Sequence, residues 1–233
     1  MAAPIAKVLV AATAKGGAGK STTIACLAVY WHNEGRKVAL LDADPNQTLT
    51  RWHGKGNVLS EMTLRTELDE HAIIPTIREL AQGSDFVLVD CAGFGNQAMV
   101  FAIGAADLVL IPAMTDEANL FEAARTYRIV ESAAQLTRRT IPAHTFLCRV
   151  KRSAVATHAR TQLGVLKTNP LTAQLSDRVL FQEATFHGAS PTALAPSSTA
   201  AAEIALLARE IEWLLQVRPA AQATKPARRA RLA

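Results

Sequence analysis

The chain has 233 residues, 49% of them apolar and 19% charged, and a formal net charge of +5. That is enough apolar material to bury a sizeable core, while Arg, Asp or Glu interrupts every apolar stretch before it reaches the length of a membrane span. No basic segment followed by a cleavable apolar run opens the sequence, so the expected compartment is the cytoplasm.

Taken in order, Ile5 to Ala12 is a short apolar run of strand type, and Thr22 to His32 carries apolar residues at helical spacing. Between them stands Lys15-Gly16-Gly17-Ala18-Gly19-Lys20-Ser21-Thr22. Glycines at a strand-to-helix junction let backbone N–H groups turn inward around phosphate oxygens, and the helix N-terminus adds partial positive charge. Lys20 can reach terminal phosphates and the Ser21 hydroxyl can ligate Mg2+. A strict phosphate-loop pattern asks for glycine at position 14, where this chain has Ala14, and does not ask for Lys15. Further on, Lys37 to Asp44 reads as a buried strand ending in two carboxylates, Asp42 and Asp44, with Pro45 stopping it. Phe86 to Asp90 is another apolar strand ending in an acid, Ala106 to Pro112 a fourth, and Glu117 to Leu136 a long helix. A last helix is expected from about Thr199 to Val217, with Ile204, Leu207, Ile211, Leu214 and Leu215 on its inner face. Alternating strands and helices predict an α/β fold: a doubly wound, mostly parallel sheet with helices on both faces. Residues 1–217 are expected to form this one domain and 218–233 a flexible basic tail.

The loop with its second lysine resembles the deviant phosphate loop of the ParA/MinD family of ATPases, and Asp42-Ala43-Asp44-Pro45 and Val89-Asp90 resemble the family's next two signatures. The resemblance implies ATP and Mg2+ as cofactors, with Gly16, Gly17, Ala18, Gly19, Lys20, Ser21 and Thr22 cradling the phosphates. It also implies that Lys15 reaches across an ATP-dependent homodimer to the partner's nucleotide. Asp44 would orient the attacking water, Asp42 would sit near the metal, and Asp90 would hold Mg2+ through a water. Where many relatives carry an aspartate after the fourth strand this chain has Asn119, to which no catalytic role is given. Phe181-Gln182-Glu183-Ala184 and Pro196-Ser197-Ser198 resemble the C-terminal part of partition ATPases.

Charge is unevenly placed. The tail holds Arg218, Lys225, Arg228, Arg229 and Arg231 and no acid, leaving 20 basic and 20 acidic side chains in the rest. From Arg125 to Arg178 ten bases face only Glu131 and Asp177. Such a block can be solvated helix faces, or a surface laid on the DNA backbone without base readout. The leading candidates for phosphate contact are Arg149, Lys151 and Arg152; Arg149 also falls where relatives place an adenine contact, and both roles stay open. The tail has no apolar face apart from Leu232, which argues against the amphipathic membrane helix of division-site relatives. Cys26, Cys91 and Cys148 show no Cys-x-x-Cys spacing and the six histidines no ligand spacing, so they read as ordinary core or surface residues.

The function this implies is a weak, partner-stimulated ATPase that binds DNA non-specifically and partitions plasmid or chromosomal DNA, at the nucleoid or a cell pole, with a centromere-binding adaptor. Gly35 to Asp44, Leu49-Thr50-Arg51-Trp52 and Ala124 to Arg128 are in turn similar to the VirC ATPases of T-DNA transfer, which would make the partner a relaxosome component. A membrane-cycling ATPase and a small-molecule kinase are the remaining alternatives; liposome binding would mark the first, and metabolite-stimulated turnover the second.

Overall fold

Each of the five inner strands begins where an apolar run can lie between two helical layers and ends at a polar or glycine-containing turn. The computed structural model describes residues 6–93 and 97–217. Its strands are β1 (Lys7–Ala11), β2 (Val38–Ala43), β3 (Thr63–Thr66), β4 (Phe86–Cys91), β5 (Leu108–Ala113), β6 (Ala143–Val150) and β7 (Gln174–Ser176). They form one sheet in the order β3-β2-β4-β1-β5-β6-β7, with every neighbouring pair parallel. The helices are α1 (Lys20–Asn33), α2 (Thr48–His53), α3 (Ile73–Ala81), α4 (Gln97–Ala105), α5 (Glu117–Thr137), α6 (Ser153–Val165), α7 (Val179–Phe186), α8 (Pro191–Leu194) and α9 (Thr199–Leu214).

The central strands are buried on both faces, so they read as continuous apolar runs instead of alternating ones. On one face Val8, Val10, Val87 and Val89 pack with Ile77 of α3, Ile103 of α4, Val130 of α5 and Leu163 of α6. On the other, Leu9, Leu40 and Leu88 pack with Leu27 of α1 and Ile204, Leu207 and Ile211 of α9. Trp31 stacks on Phe86 with ring centroids 4.1 Å apart, and its indole N–H donates to Glu212 at 2.9 Å. This contact fastens α1 to α9 while satisfying the one polar atom of a buried ring.

The sheet supplies the position of the site. From β1 the chain runs by α1 to β2 on one side, while β4 runs by α4 to β5 on the other, so the strand order reverses at β1. Ligands of doubly wound folds bind at the C-terminal strand ends of such a switch point. The Lys15–Thr22 loop leaves β1 there. The two edge strands, β3 and β7, are four and three residues long and polar; neither carries a sequence pattern that separates it from a loop. Residues 218–233, the expected basic tail, lie outside the described residues.

Candidate nucleotide and metal site

The loop is built around backbone conformations that side chains resist. Gly17 and Gly19 have φ of 77° and 99°, in the left-handed region that glycine enters without steric penalty. Gly19 is the N-cap of α1 and offers no side-chain cap, and α1 has no acid in its first turn. Its leading N–H groups are therefore left for an anion. Thr23 ties the turn down, its hydroxyl donating to the Gly19 carbonyl at 2.7 Å. From below, the Cys148 thiol of β6 lies 2.7 Å from the Ala18 carbonyl, and a Cβ on Gly19 would stand 3.4 Å from that sulfur.

Three carboxylates and a lysine converge beside this loop. Strand register puts Asp42 of β2 and Ala11 of β1 on either side of Asp90 in β4. Asp90 is fully buried and, among the described residues, neither of its oxygens has a hydrogen-bond partner. Burial pushes its carboxyl up to about 7, with Asp42 and Asp44 adding to the rise. The nearby Ser21 hydroxyl and Lys20 ammonium pull the other way without completing a bond to it. A buried carboxylate with vacant oxygens, next to a hydroxyl, at a helix start that invites phosphates, fits a hard divalent cation such as Mg2+.

Asp42, beside Asp90 in the sheet, is held by hydrogen bonds of its own. Its Oδ2 accepts from the backbone N–H and hydroxyl of Thr50, at 2.8 and 2.9 Å, and its Oδ1 accepts from the Asp44 N–H at 3.2 Å. One oxygen anchors α2 and the other the turn that follows β2, which explains how so buried a carboxylate is tolerated. Asp44, 8% exposed, holds the Asn46 N–H with its Oδ1 at 2.9 Å, bracing the Pro45 turn.

Lys20, Ser21, Asp42, Asp44 and Asp90 are thus brought together, whereas Lys15 is turned aside. It lines a depression with Gly16 and the α5 residues Glu117, Phe121, Glu122 and Arg125. Among the described residues its ammonium has no charged partner. Arg149, with φ of 53° at the end of β6, borders two hollows. One is a cavity of about 450 Å3 beside Gly17, Gly19 and Thr22, walled by Phe181 and Phe186 of α7, with room for a nucleoside. The other holds Lys151 and Arg152 with Val155 of α6. Arg149 and Lys151 share one counter-ion, Asp177, at 4.0 and 3.6 Å. The basic block is therefore less free than its composition implies. Arg139 donates to the Gly104 and Ala106 carbonyls, Arg160 to those of Leu171 and Thr172, and Arg178 to Glu203. Cys148, Asp177 and Phe186 were not singled out for the site from sequence, since no motif marks them, and Thr126 and Phe181 lie in segments that resemble relatives without being given a place in the site.

The fold is that of the phosphate-loop ATPases of the ParA/MinD type. More narrowly, the chain belongs to the VirC1 family, whose model matches residues 6–216. It is 33% identical over 154 residues to the protein ParA of Rhizobium radiobacter, covering 66% of this chain and 69% of that one. It is 33% identical over 162 residues to virC1 of Rhizobium radiobacter, covering 67% and 70%. Among solved structures, the septum site-determining protein MinD of Pyrococcus horikoshii, complexed with Mg-ADP, superimposes with a TM-score of 0.71 at 19% identity, covering 90% of this chain and 97% of that one. No helix among the described residues is long and apolar enough to cross a membrane.

Proposed function

We propose that this protein is an ATP-driven switch that binds ATP with Mg2+, dimerises around it, engages DNA non-specifically and resets on hydrolysis. The observation that carries this reading is the buried Asp90 carboxylate, unpartnered among the described residues, beside Ser21 and Lys20 at the start of α1, which has no side-chain cap. In this reading the loop from Gly16 to Thr22 and the α1 N–H groups hold the phosphates, and Lys20 neutralises the terminal ones. Ser21 and Asp90 hold Mg2+, which supplies charge neutralisation across the transferred phosphoryl group. Asp42 supports them by fixing α2. Asp44 orients the attacking water and Lys15 reaches the partner's nucleotide. Catalysis here is positioning and electrostatics, so turnover is slow until a partner protein completes the site.

Arg149, Lys151 and Arg152 supply the DNA surface, with Arg149 reaching the nucleoside cavity as well. The basic tail would add a sequence-independent contact. The output is partition of plasmid or chromosomal DNA, positioned at the nucleoid or pole with a centromere-binding adaptor. The VirC1 match across residues 6–216 favours a second cargo, a relaxosome destined for transfer.

The test is binding of random-sequence DNA by the Asp44→Ala protein with ATP, with ADP and without nucleotide. Tight, salt-sensitive binding with ATP alone is expected; equal binding in all three states, or none, overturns the switch. A pull-down then separates the cargoes, by returning either an adaptor or a relaxase.

A further inference from the structure

Between the end of β1 and the phosphate loop lie three residues whose course decides where Lys15 points. The β1 ladder closes with the Ala12 N–H donating to the Leu110 carbonyl of β5 at 3.0 Å. Two residues later the Ala14 N–H donates to the hydroxyl of Thr126, 112 residues away on α5, also at 3.0 Å. The Thr126 proton is spent on the Glu122 carbonyl one turn back, at 2.9 Å, so its oxygen lone pairs face Ala14. Thr126 is fully buried. The opposite side of Ala14 is just as confined: its carbonyl lies 3.2 Å from where a Cβ on Gly93 would stand. The next N–H, that of Lys15, donates to the Thr13 hydroxyl at a long 3.4 Å.

We propose that Thr126 is a positioning residue for Lys15. It holds Ala14 against Gly93 and so aims the lysine out of its own site, towards the face where a second subunit would sit. This rests on the cross-subunit role proposed for Lys15. The placement also ties the loop to α5, where the exposed Arg125 and Arg128 flank Thr126. The hydroxyl is required for this, since an isosteric valine would take from the half-buried Ala14 N–H the acceptor that fixes its place.

The test compares Thr126→Val, Thr126→Ser and wild type for MgATP affinity of the monomer, ATP-dependent dimerisation by sedimentation, and kcat. Valine should lower dimer affinity and kcat about tenfold while monomer affinity changes less than about twofold, and serine should restore both. In a Lys15→Ala background the valine should add nothing, because both changes act through one contact. Unchanged dimerisation in Thr126→Val, additivity with Lys15→Ala, or parallel loss of monomer binding overturns the proposal. Should valine prevent folding, exchange of the Ala14 amide in the wild-type protein reads the bond directly: protection supports it, and exchange at the rate of a free loop amide overturns it. A wild-type protein that binds ATP yet never dimerises sinks the cross-subunit reading and this proposal together; additivity in a protein that does dimerise sinks this one alone.

Discussion

Asp90 is the residue in which burial and function conflict most. In the unfolded chain its carboxyl titrates near 3.8 and in the native protein near 7. Between those values the folded state keeps a proton that the unfolded state has released. The contribution of Asp90 is therefore fully present below about pH 4 and lost as the pH rises through 7. Asp90→Asn should remove that slope and make the metal-free protein more stable than wild type at pH 8, by on the order of 2–4 kcal/mol. Urea denaturation of both proteins at pH 5 and pH 8 measures it, and Mg2+ should narrow the gap by stabilising only the wild type. Asp44→Ala should bind ATP normally while single-turnover hydrolysis falls about 100-fold or more, and hydrolysis at the wild-type rate would remove it from the chemistry.

At the level of elements, the nucleoside cavity depends on α7 being held against α2. Lys55, just past α2, donates to the Thr185 carbonyl at 2.6 Å and lies 6.0 Å from the Phe186 ring. The turn after α7 passes so close that a Cβ on Gly188 would stand 2.2 Å from the Trp52 carbonyl, and Gly188 has φ of 60°. Backbone meets backbone here, so no side chain can swing away. Gly188→Ala should cost about 2 kcal/mol or more of stability and weaken ATP binding through α7, while the phosphate loop stays intact. Thermal melting with and without ATP reads both effects. A conservative surface change such as Leu206→Ala on α9, 58% exposed, provides the contrast and should leave both unchanged.

For the whole molecule, the charge that matters is the charge left over after internal pairing. Arg139, Arg160 and Arg178 serve the fold, and Arg149 and Lys151 share Asp177, which leaves the exposed Arg152 at the start of α6 as the best candidate in that cluster for a contact to DNA. Arg152→Ala should weaken binding to all DNA sequences about equally and reduce the salt slope by about one. Fluorescence anisotropy over a salt series measures that slope, and a change confined to one sequence would contradict a backbone contact.

The phosphate loop, the three strand-end acids and the central strands were legible in the sequence because each is a local pattern: apolar runs, glycines between them, a charged residue where the run stops. The parallel sheet followed from their alternation with helices. Strands β3 and β7 were not legible, since short polar edge segments owe their conformation to the strand beside them. Nor were Asp177 and Gly188, whose partners Lys151 and Trp52 are distant in the chain. The chain by itself determined which groups could hold a nucleotide and a metal, since that depends on residue type and local turn chemistry. Only the tertiary structure decided that Asp90 is left unpartnered among the described residues while Asp42 accepts three hydrogen bonds, and that Thr126 holds Ala14. Those outcomes depend on strand register and helix packing, which bring together residues that no local pattern connects.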